Sequence, residues 1–308
     1  MIEIKNTGIL PGHQNPVFTI ESGLEPHTFF TAGNDPGIVK WDLRQMKHEK
    51  VLAKVNTSVY ALHRPVTRPI LLTGERSGQV SAIDLVNEKP LKVLSLHRFP
   101  VFDIKTSGRK GLIYVASEDG YVSVWSLEDF HHVYTFQVSK DTVRSISLSP
   151  DEQQIAFGCR DNSIKIYDTA ELSPVAELEG HTMSVFSLQY SPAGNYLLSG
   201  SRDAQLKIWD TASYTQVRSI PAHMYAINHI SFHPGHRWFA TASMDKTIRI
   251  WRLEDFAPVK TIDLAGMGGH ALSVNKLLWV NDRTLVSVSD DKNVMVWDIS
   301  LESEENPG

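Results

Sequence analysis

The pentad LKIWD at residues 206–210 has near-copies on both sides, IKIYD at 164–168 and IRIWR at 248–252. Each copy lies 42 residues from the next (209 − 167 and 251 − 209). Four further pentads extend the series: IVKWD (38–42), VSAID (80–84), VSVWS (122–126) and VMVWD (294–298). The first five steps are all 42 residues and the last is 46 (297 − 251). A fixed period with matched chemistry indicates a repeat architecture.

The side chains of each pentad alternate between two sides with a period of two, and the pentads favour β-branched and aromatic residues, which predicts a β-strand. Between pentads there is room for about three more short strands. In the fifth unit these include VFSLQYS (185–191) and YLLSGS (196–201), separated by the turn PAGN (192–195). A period of about 40–45 residues is typical of a propeller blade. The predicted fold is all-β, a seven-bladed β-propeller of four-stranded antiparallel blades.

The last unit has no fourth strand after its pentad, because only ISLESEENPG follows VMVWD. The segment IEIKNTGIL (2–10) precedes the first repeat and has strand character. We therefore predict that the N-terminal strand completes the last blade and closes the ring, since an open sheet edge invites aggregation. Residues 1–301 are predicted to form a single propeller, and residues 302–308 an acidic disordered tail.

Composition narrows the class of protein. The 308 residues carry a net charge of −5 without a basic run, which argues against direct nucleic-acid binding. There is no stretch of about 20 apolar residues, so no membrane span is expected, and the N-terminus lacks a secretory signal pattern. The single cysteine, Cys159, cannot form an internal disulfide, which fits a reducing compartment. We expect an intracellular, cytoplasmic protein, with the nucleus as the alternative.

Histidines form a second landmark ahead of the pentads. They follow Gly, Ala or Leu at Gly12-His13, Leu96-His97, Gly180-His181, Ala222-His223 and Gly269-His270. Four of them precede the pentad aromatic by 28 residues (for example 209 − 181), and the last precedes it by 27 (297 − 270). With these landmarks the chain resembles the WD-repeat β-propeller family over nearly its whole length.

The resemblance implies that a His, a hydroxyl residue of the second strand, a turn Asp and the pentad Trp form a buried hydrogen-bonded set in each blade. Carried over, the structural sets are His13, Asp35, Trp41; His97, Asp119, Trp125; His181, Asp203, Trp209; His223, Asp245, Trp251; and His270, Asp291, Trp297. This structural role is favoured over catalysis for these His–Asp pairs. Blade 2 has Val55, Ser77 and Ile83 instead, where apolar packing is expected, and blade 4 has Ser139, Asp161 and Tyr167.

In that family, partners often bind the face that carries the loops from the fourth strand to the next blade and from the second strand to the third. Three positions per repeat are expected there. The residues five after the His are Phe18, Tyr60, Phe102, Arg144, Phe186, Asn228 and Asn275. The residues before the turn Asp are Asn34, Arg76, Glu118, Arg160, Arg202, Met244 and Asp290. The residues three after the His are Pro16, Ser58, Pro100, Thr142, Ser184, Ala226 and Ser273.

Aromatic and arginine residues dominate blades 1 to 5 of this set, as they do at interface hot spots. The predicted partner-binding residues are Phe18, Tyr60, Arg76, Phe102, Glu118, Arg144, Arg160, Phe186, Arg202, Asn228, Met244 and Asn275. Because Arg pairs well with carboxylate or phosphate, the predicted partner is a protein or peptide with apolar and acidic residues, including phosphorylated ones. The expected function is a non-enzymatic interaction scaffold or adaptor.

The alternative is an enzyme or small-molecule binder that uses the central channel, and a third interpretation is recognition of modified lysine or a phosphorylated degron. On the channel face only Glu118 and Asp290, on blades 3 and 7, remain as candidate catalytic carboxylates. We therefore predict no catalytic residue, no cofactor and no metal. Cys159 is interpreted as a small buried residue. His229, His233 and His236 are a conceivable metal site but fit a strand and its turn better. The glycines of LAGMGGH (264–270) predict a mobile loop.

Overall fold

The seven pentads are the third strands of seven four-stranded antiparallel sheets, which confirms the predicted propeller. The computed structural model describes residues 2–301, and the tail predicted at 302–308 lies outside them. No helix among residues 2–301 is long and apolar enough to cross a membrane.

The strands follow one another from the channel outward in each blade. Blade 1 comprises β2 (Val17–Ser22), β3 (Thr28–Gly33), β4 (Gly37–Asp42) and β5 (Lys47–Lys54). Blade 2 comprises β6 (Val59–His63), β7 (Ile70–Glu75), β8 (Gln79–Asp84) and β9 (Lys89–Ser95). Blade 3 comprises β10 (Val101–Ser107), β11 (Leu112–Ser117), β12 (Tyr121–Ser126) and β13 (His132–Gln137). Blade 4 comprises β14 (Val143–Leu148), β15 (Gln154–Cys159), β16 (Ile164–Asp168) and β17 (Pro174–Leu178).

The remaining blades repeat this order. Blade 5 comprises β18 (Val185–Tyr190), β19 (Tyr196–Ser201), β20 (Gln205–Asp210) and β21 (Gln216–Pro221). Blade 6 comprises β22 (Ile227–Phe232), β23 (Trp238–Ser243), β24 (Ile248–Arg252) and β25 (Pro258–Ile262). Blade 7 comprises β26 (Val274–Trp279), β27 (Thr284–Ser289), β28 (Val294–Leu301) and β1 (Ile2–Leu10).

The N-terminal strand closes the ring, as predicted. β1 pairs antiparallel with β28, from Ile2 opposite Leu301 to Leu10 opposite Val294. The innermost strands of successive blades contact one another, and β26 contacts β2 across the closure. Every blade therefore has two neighbours around a central channel.

The core lies between the blades. Between blades 5 and 6, for example, Leu198 and Ile208 of one sheet pack with Ile230, Phe239 and Trp251 of the next. The rings of Phe239 and Trp251 stack with centroids 6.0 Å apart. Because each sheet is covered on both faces, the pentads carry apolar residues on both sides where a half-exposed strand would alternate.

The segment predicted as a mobile glycine loop instead contains a short helix, α1 (Leu264–Met267). Its N-cap Asp263 accepts a hydrogen bond of 2.6 Å from the Gly266 N–H. Gly268 ends the turn in the left-handed region at φ 65°, which favours glycine. The glycines thus permit a capped turn, since Cβ atoms would be strained at Gly268 and would meet backbone at Gly269.

Candidate functional site

The hydrogen-bonded sets occupy the same position in blades 1, 3, 5, 6 and 7. In blade 6 the Trp251 Nε1–H donates to Thr241 Oγ1 over 2.9 Å, and Thr241 Oγ1 lies 2.7 Å from His223 Nε2. His223 Nδ1 lies 2.9 Å from Asp245 Oδ2. The five His–Asp distances span 2.7–2.9 Å and the five Trp–hydroxyl distances 2.6–2.9 Å. Both imidazole nitrogens, the hydroxyl and the indole N–H of a set are thereby hydrogen-bonded within the set.

Electrostatics agree with a neutral imidazole and a charged carboxylate. Burial lowers the pKa of His13 and His223 despite their Asp partners. Burial opposes ionisation of Asp203, but hydrogen bonds from His181 and from the Thr182 N–H outweigh it and lower the pKa of Asp203 to about 2. The carboxylate therefore accepts from Nδ1–H, and the hydroxyl can donate to Nε2.

The set varies in blades 2, 3 and 4. In blade 3 the hydroxyl comes from Ser123 on the third strand, since the second-strand position holds Val115. In blade 4 the Ser139 hydroxyl donates to Asp161 over 2.6 Å, and Tyr167 packs on aromatic rings.

Blade 2 differs from the prediction of plain apolar packing. Ile83 is packed with apolar neighbours, but the blade also buries the carboxylate of Glu75. Hydroxyls of Thr57, Ser77 and Ser81 donate to this carboxylate over 3.1–3.4 Å. A buried carboxylate needs such donors. The repeat pattern did not predict it, because Glu75 is not at a position of the His, hydroxyl, Asp and Trp set.

A β-bulge recurs at one place in all seven blades. The pairing of each first and second strand skips one residue, for example between Val17 and Thr19 or between Val274 and Lys276. The skipped residues are the predicted set five after the His, and all of them line the central cavity of about 240 Å³: Phe18, Tyr60, Phe102, Arg144, Phe186, Asn228 and Asn275. A bulge re-aims a side chain, so the backbone itself directs these seven residues, called here the mouth ring, toward the channel.

Side chains of the mouth ring contact one another across blades 1 to 5. Ring centroids lie 5.3 Å apart for Phe18 and Tyr60, and 5.4 Å apart for Tyr60 and Phe102. The Arg144 guanidinium lies between two rings, 4.4 Å from the centroid of Phe102 and 4.9 Å from that of Phe186. Cation–π contacts of this kind are worth roughly 0.5–2 kcal/mol each. The result is a continuous arc of π faces with one cation in it.

Amides complete the mouth ring on the opposite side. Asn275 Nδ2 donates to the Val17 carbonyl and to Asp290 Oδ1, both over 2.8 Å. Asn228 Nδ2 donates to the Val274 carbonyl over 2.8 Å. These two predicted partner residues thus have structural bonds between neighbouring blades, so their amides are less available to a partner than the arc is.

The other two predicted positions adjoin each other in every blade. The N–H of each residue before the turn Asp donates to the carbonyl of the residue three after the His, over 2.8–3.0 Å. Examples are Arg202 N–H to Ser184 O and Met244 N–H to Ala226 O. Asn34, Arg76, Glu118, Arg160, Arg202 and Met244 are exposed, while Asp290 is half-buried against Asn275. The exposed side chains stand around the mouth ring on one face.

An exposed apolar group on blades 5 to 7 was missed by the sequence reasoning. Met183, Tyr225 and Leu272 lie two residues after the His, next to Met224 and Met244. The exposed fraction reaches 78% for Met224 and 62% for Tyr225. We call these five residues the apolar crescent. Three of its five members lie two residues after the His, so the same repeat spacing would have located them.

Titratable side chains inside the channel were also missed. We expected only Glu118 and Asp290 as candidate catalytic carboxylates on the channel face. Inside the channel this expectation is wrong, because it considered loop positions and left out the inward-facing residues of the first strands. Six and eight residues after the His position, these strands carry Glu21, His63, Asp103, Lys105, His229 and Lys276. We call them the channel belt.

The other candidate reactive residues are accounted for by structure. Cys159 is buried, and burial raises the pKa of its thiol. His229 Nδ1 accepts from the Leu277 N–H, whereas His233 Nε2 donates to the Asp282 carbonyl, so the two histidines serve different contacts. Across the described residues, 2–301, no group of three or more His, Cys, Asp or Glu side chains is placed to hold a metal ion.

Comparison with known families bears on the repeat directly. The family described as WD domain, G-beta repeat matches three segments, residues 172–210, 214–252 and 258–298. The family described as anaphase-promoting complex subunit 4 WD40 domain matches residues 104–183. No curated protein matches the chain significantly. Taken with the closed ring of seven four-stranded blades, these matches show that the chain belongs to the WD-repeat β-propeller family.

Proposed function

We propose that this propeller is a non-enzymatic scaffold or adaptor that binds a partner segment across the mouth ring and the apolar crescent. WD repeats in general indicate a scaffold for protein–protein interactions. The observation that carries the finer proposal is the arc, in which bulges in blades 1 to 5 direct four aromatic side chains and Arg144 to one opening.

The surroundings of the arc suit a segment with both apolar and acidic residues. Arg160 and Arg202 are exposed beside the mouth, and Arg202 has no ion pair among the residues that the structure describes. The apolar crescent on blades 5 to 7 offers methionines, which adapt to varied partner shapes. A phosphorylated or carboxylate residue over the arginines, followed by apolar residues over the crescent, would use both. We propose no direct contact with nucleic acid or membrane, and a reducing, cytoplasmic location consistent with the single buried thiol.

Affinity capture from native lysate, read by mass spectrometry, tests this function. We would compare wild type with Phe102→Ala/Arg144→Glu and with Met224→Ala/Tyr225→Ala. Residues Met224 and Tyr225 are mostly exposed, so their loss should not unfold the blade. We expect a protein enriched by wild type and lost in both variants.

The matched control is Val86→Ala/Lys89→Glu, in the turn from the third to the fourth strand of blade 2, which emerges on the opposite face. This control should capture the same protein as wild type. If all three variants capture the same proteins as wild type, the proposed face is wrong.

A further inference from the structure

The central cavity is rich in hydrogen-bond donors that have no acceptor. Arg144, which lines it, makes no hydrogen bond or ion pair with any residue in the described part of the chain, and its Nε is buried without a partner. The Ser145 hydroxyl, also at the cavity wall, is buried and unpartnered. A buried donor left without an acceptor destabilises the folded chain, and more so when the donor is charged. Such donors are retained at little cost only where a ligand or water supplies the acceptor.

Lys276 supplies a second cation deeper in the channel. Its ammonium lies 3.3 Å from Thr19 Oγ1 and has no ion pair within residues 2–301. Burial lowers the pKa of Lys276, and the nearby Lys105 acts in the same direction, while Asp103 and Glu21 oppose it only in part. Burial also lowers the pKa of Arg144; the carboxylate of Glu118 opposes this effect, and Arg160 and Arg202 add to it. An anion in the cavity would relieve both charges.

The acids of the channel belt are already occupied. Asp103 accepts from the Ile104 N–H over 2.9 Å and from the Ile146 N–H over 2.8 Å. Glu21 accepts from the Ser22 N–H and hydroxyl over 2.7 and 2.9 Å. Asp103 also forms an ion pair with Lys105, whose Nζ lies 3.3 Å from Asp103 Oδ1. Of the two channel lysines, Lys276 is therefore the one without an ion-pair partner in the described part of the chain.

His229 adds a neutral donor to the same wall. Its Nδ1 accepts from the Leu277 N–H over 3.3 Å, which leaves the ring proton on Nε2. The cavity of about 240 Å³ that these groups line has room for several waters or one small ion. Its lining therefore includes a guanidinium, an ammonium and an imidazole N–H around one space.

We propose that the channel binds a small oxyanion, a phosphate or a compact carboxylate, held by Arg144 at the mouth and Lys276 below it. Guanidinium and ammonium donors to such oxygens form charge-assisted hydrogen bonds, about twice as strong as neutral ones. The two phenylalanines that flank Arg144 fix the plane of its guanidinium, so the edge is oriented before the anion arrives. This site goes beyond the scaffold function, because a free anion would bind without any protein partner.

Calorimetric titration of the full chain with inorganic phosphate, and separately with citrate, tests the proposal. We expect saturable binding at one site, weakened about tenfold to a hundredfold by Arg144→Gln or Lys276→Met, as expected for loss of a hydrogen bond to a charged group. The matched controls are Arg218→Gln and Lys260→Met on outer strands, which should bind like wild type. Thermal unfolding of each variant reports whether it is folded. If Arg144→Gln does not fold, Arg144→Lys replaces it, and if Lys276→Met does not fold, Lys276→Gln replaces it.

The anion has two possible sources, which a third titrant separates. A capped hexapeptide of alternating Asp and Glu would compete with phosphate if an acidic side chain of a partner is the natural occupant. If phosphate or citrate binds and the peptide does not, the natural occupant is a free anion. No binding by any of the three, or equal binding by the cavity variants and controls, overturns the proposal. Lys276→Met leaves the mouth ring intact, so partner capture by this variant separates failure of the anion site from failure of the scaffold function.

Discussion

Among single residues, the hydroxyl of Thr241 shows most clearly what holds a blade. It is fully buried and joins Trp251 Nε1 to His223 Nε2, and Nδ1 of the same imidazole bonds Asp245. Four side chains from two strands and two loops are thus linked through one oxygen atom. Removing that oxygen leaves two polar nitrogens buried without partners.

Thr241→Val keeps the shape of the side chain and removes only the hydroxyl's bonds. We expect a loss of about 1–3 kcal/mol in the free energy of unfolding, measured by urea denaturation, because buried polar groups become unsatisfied. Thr261→Val is the matched control, since Thr261 is exposed on the outer strand of the same blade. Equal losses in the two variants would contradict the role given to the Thr241 hydroxyl.

The same sets predict how stability depends on pH. The pKa values of Asp35, Asp119, Asp203, Asp245 and Asp291 are all lowered in the folded chain. Their contribution is complete above the ordinary value of 3.8 and is lost as the pH falls through the lower folded values. His13 and His223 also have lowered pKa values, so their contribution is complete above 6.5 and is lost below it.

We therefore expect the melting temperature to be level above about pH 6.5 and to fall steadily toward pH 2. Asp203→Asn should flatten the part of the curve between about pH 4 and pH 2, because its carboxyl has a pKa of about 2 when folded. Calorimetric scans across this range check both expectations. A melting temperature that rises on acidification would contradict the assignment of charges.

At the level of strands and blades, the seven units are not equivalent. Blades 5 and 6 have the complete His, hydroxyl, Asp and Trp set, whereas blade 2 has Ile83 in place of Trp and a hydroxyl-bonded Glu75. The side-chain bonds of blade 2 are longer, at 3.1–3.4 Å. This blade is stabilised mainly by apolar packing against its neighbours.

Hydrogen exchange should separate the blades. We expect the amides of β7 and β8 in blade 2 to exchange faster than those of β23 and β24 in blade 6, since local opening costs less where fewer side-chain bonds break. Exchange followed by mass spectrometry on peptides from these strands gives the comparison within one sample. Equal protection of the two pairs would show that the buried sets contribute little to local stability.

The blades were predictable from sequence because the pentads have a period and a chemistry that only a repeated strand explains. The residues of the mouth ring were also located, since their distance from the His is constant. The bulge that aims them was not predictable, because an extra residue in one strand becomes visible only against its pairing partner. Lys276 and Asp103 were missed for the related reason that the bulge shifts which residues face the channel. Glu75 was missed because the equivalent position holds Gly, Ser or Cys in the other six blades.

For the whole molecule, the pairing of β1 with β28 completes the last blade and closes the ring. β1 covers the edge of β28 over residues Ile2–Leu10, with its own bulge between Asn6 and Gly8. Without β1, blade 7 would expose an unpaired strand edge and part of the core that contains Leu10 and Trp41. Exposed edges of this kind lead to association between molecules.

Deletion of residues 2–10 should therefore lower the melting temperature and cause concentration-dependent association, measured by light scattering. A synthetic peptide of residues 2–10 added in excess should restore part of the stability, because it can pair with the vacant edge. A truncated chain that melts like wild type and stays monomeric would show that closure does not depend on this strand.

The register of that closing pair also sets how the ring responds to mechanical force. Ile2, where β1 begins, lies opposite Leu301, where β28 ends, so both ends of the described chain leave from the same end of one antiparallel pair. Tension applied between them peels the hydrogen bonds apart one rung after another, whereas shear would load all of them together. We therefore expect tension between the two ends of the described chain to open the ring at this pairing, at a lower force than shear along the strands would need.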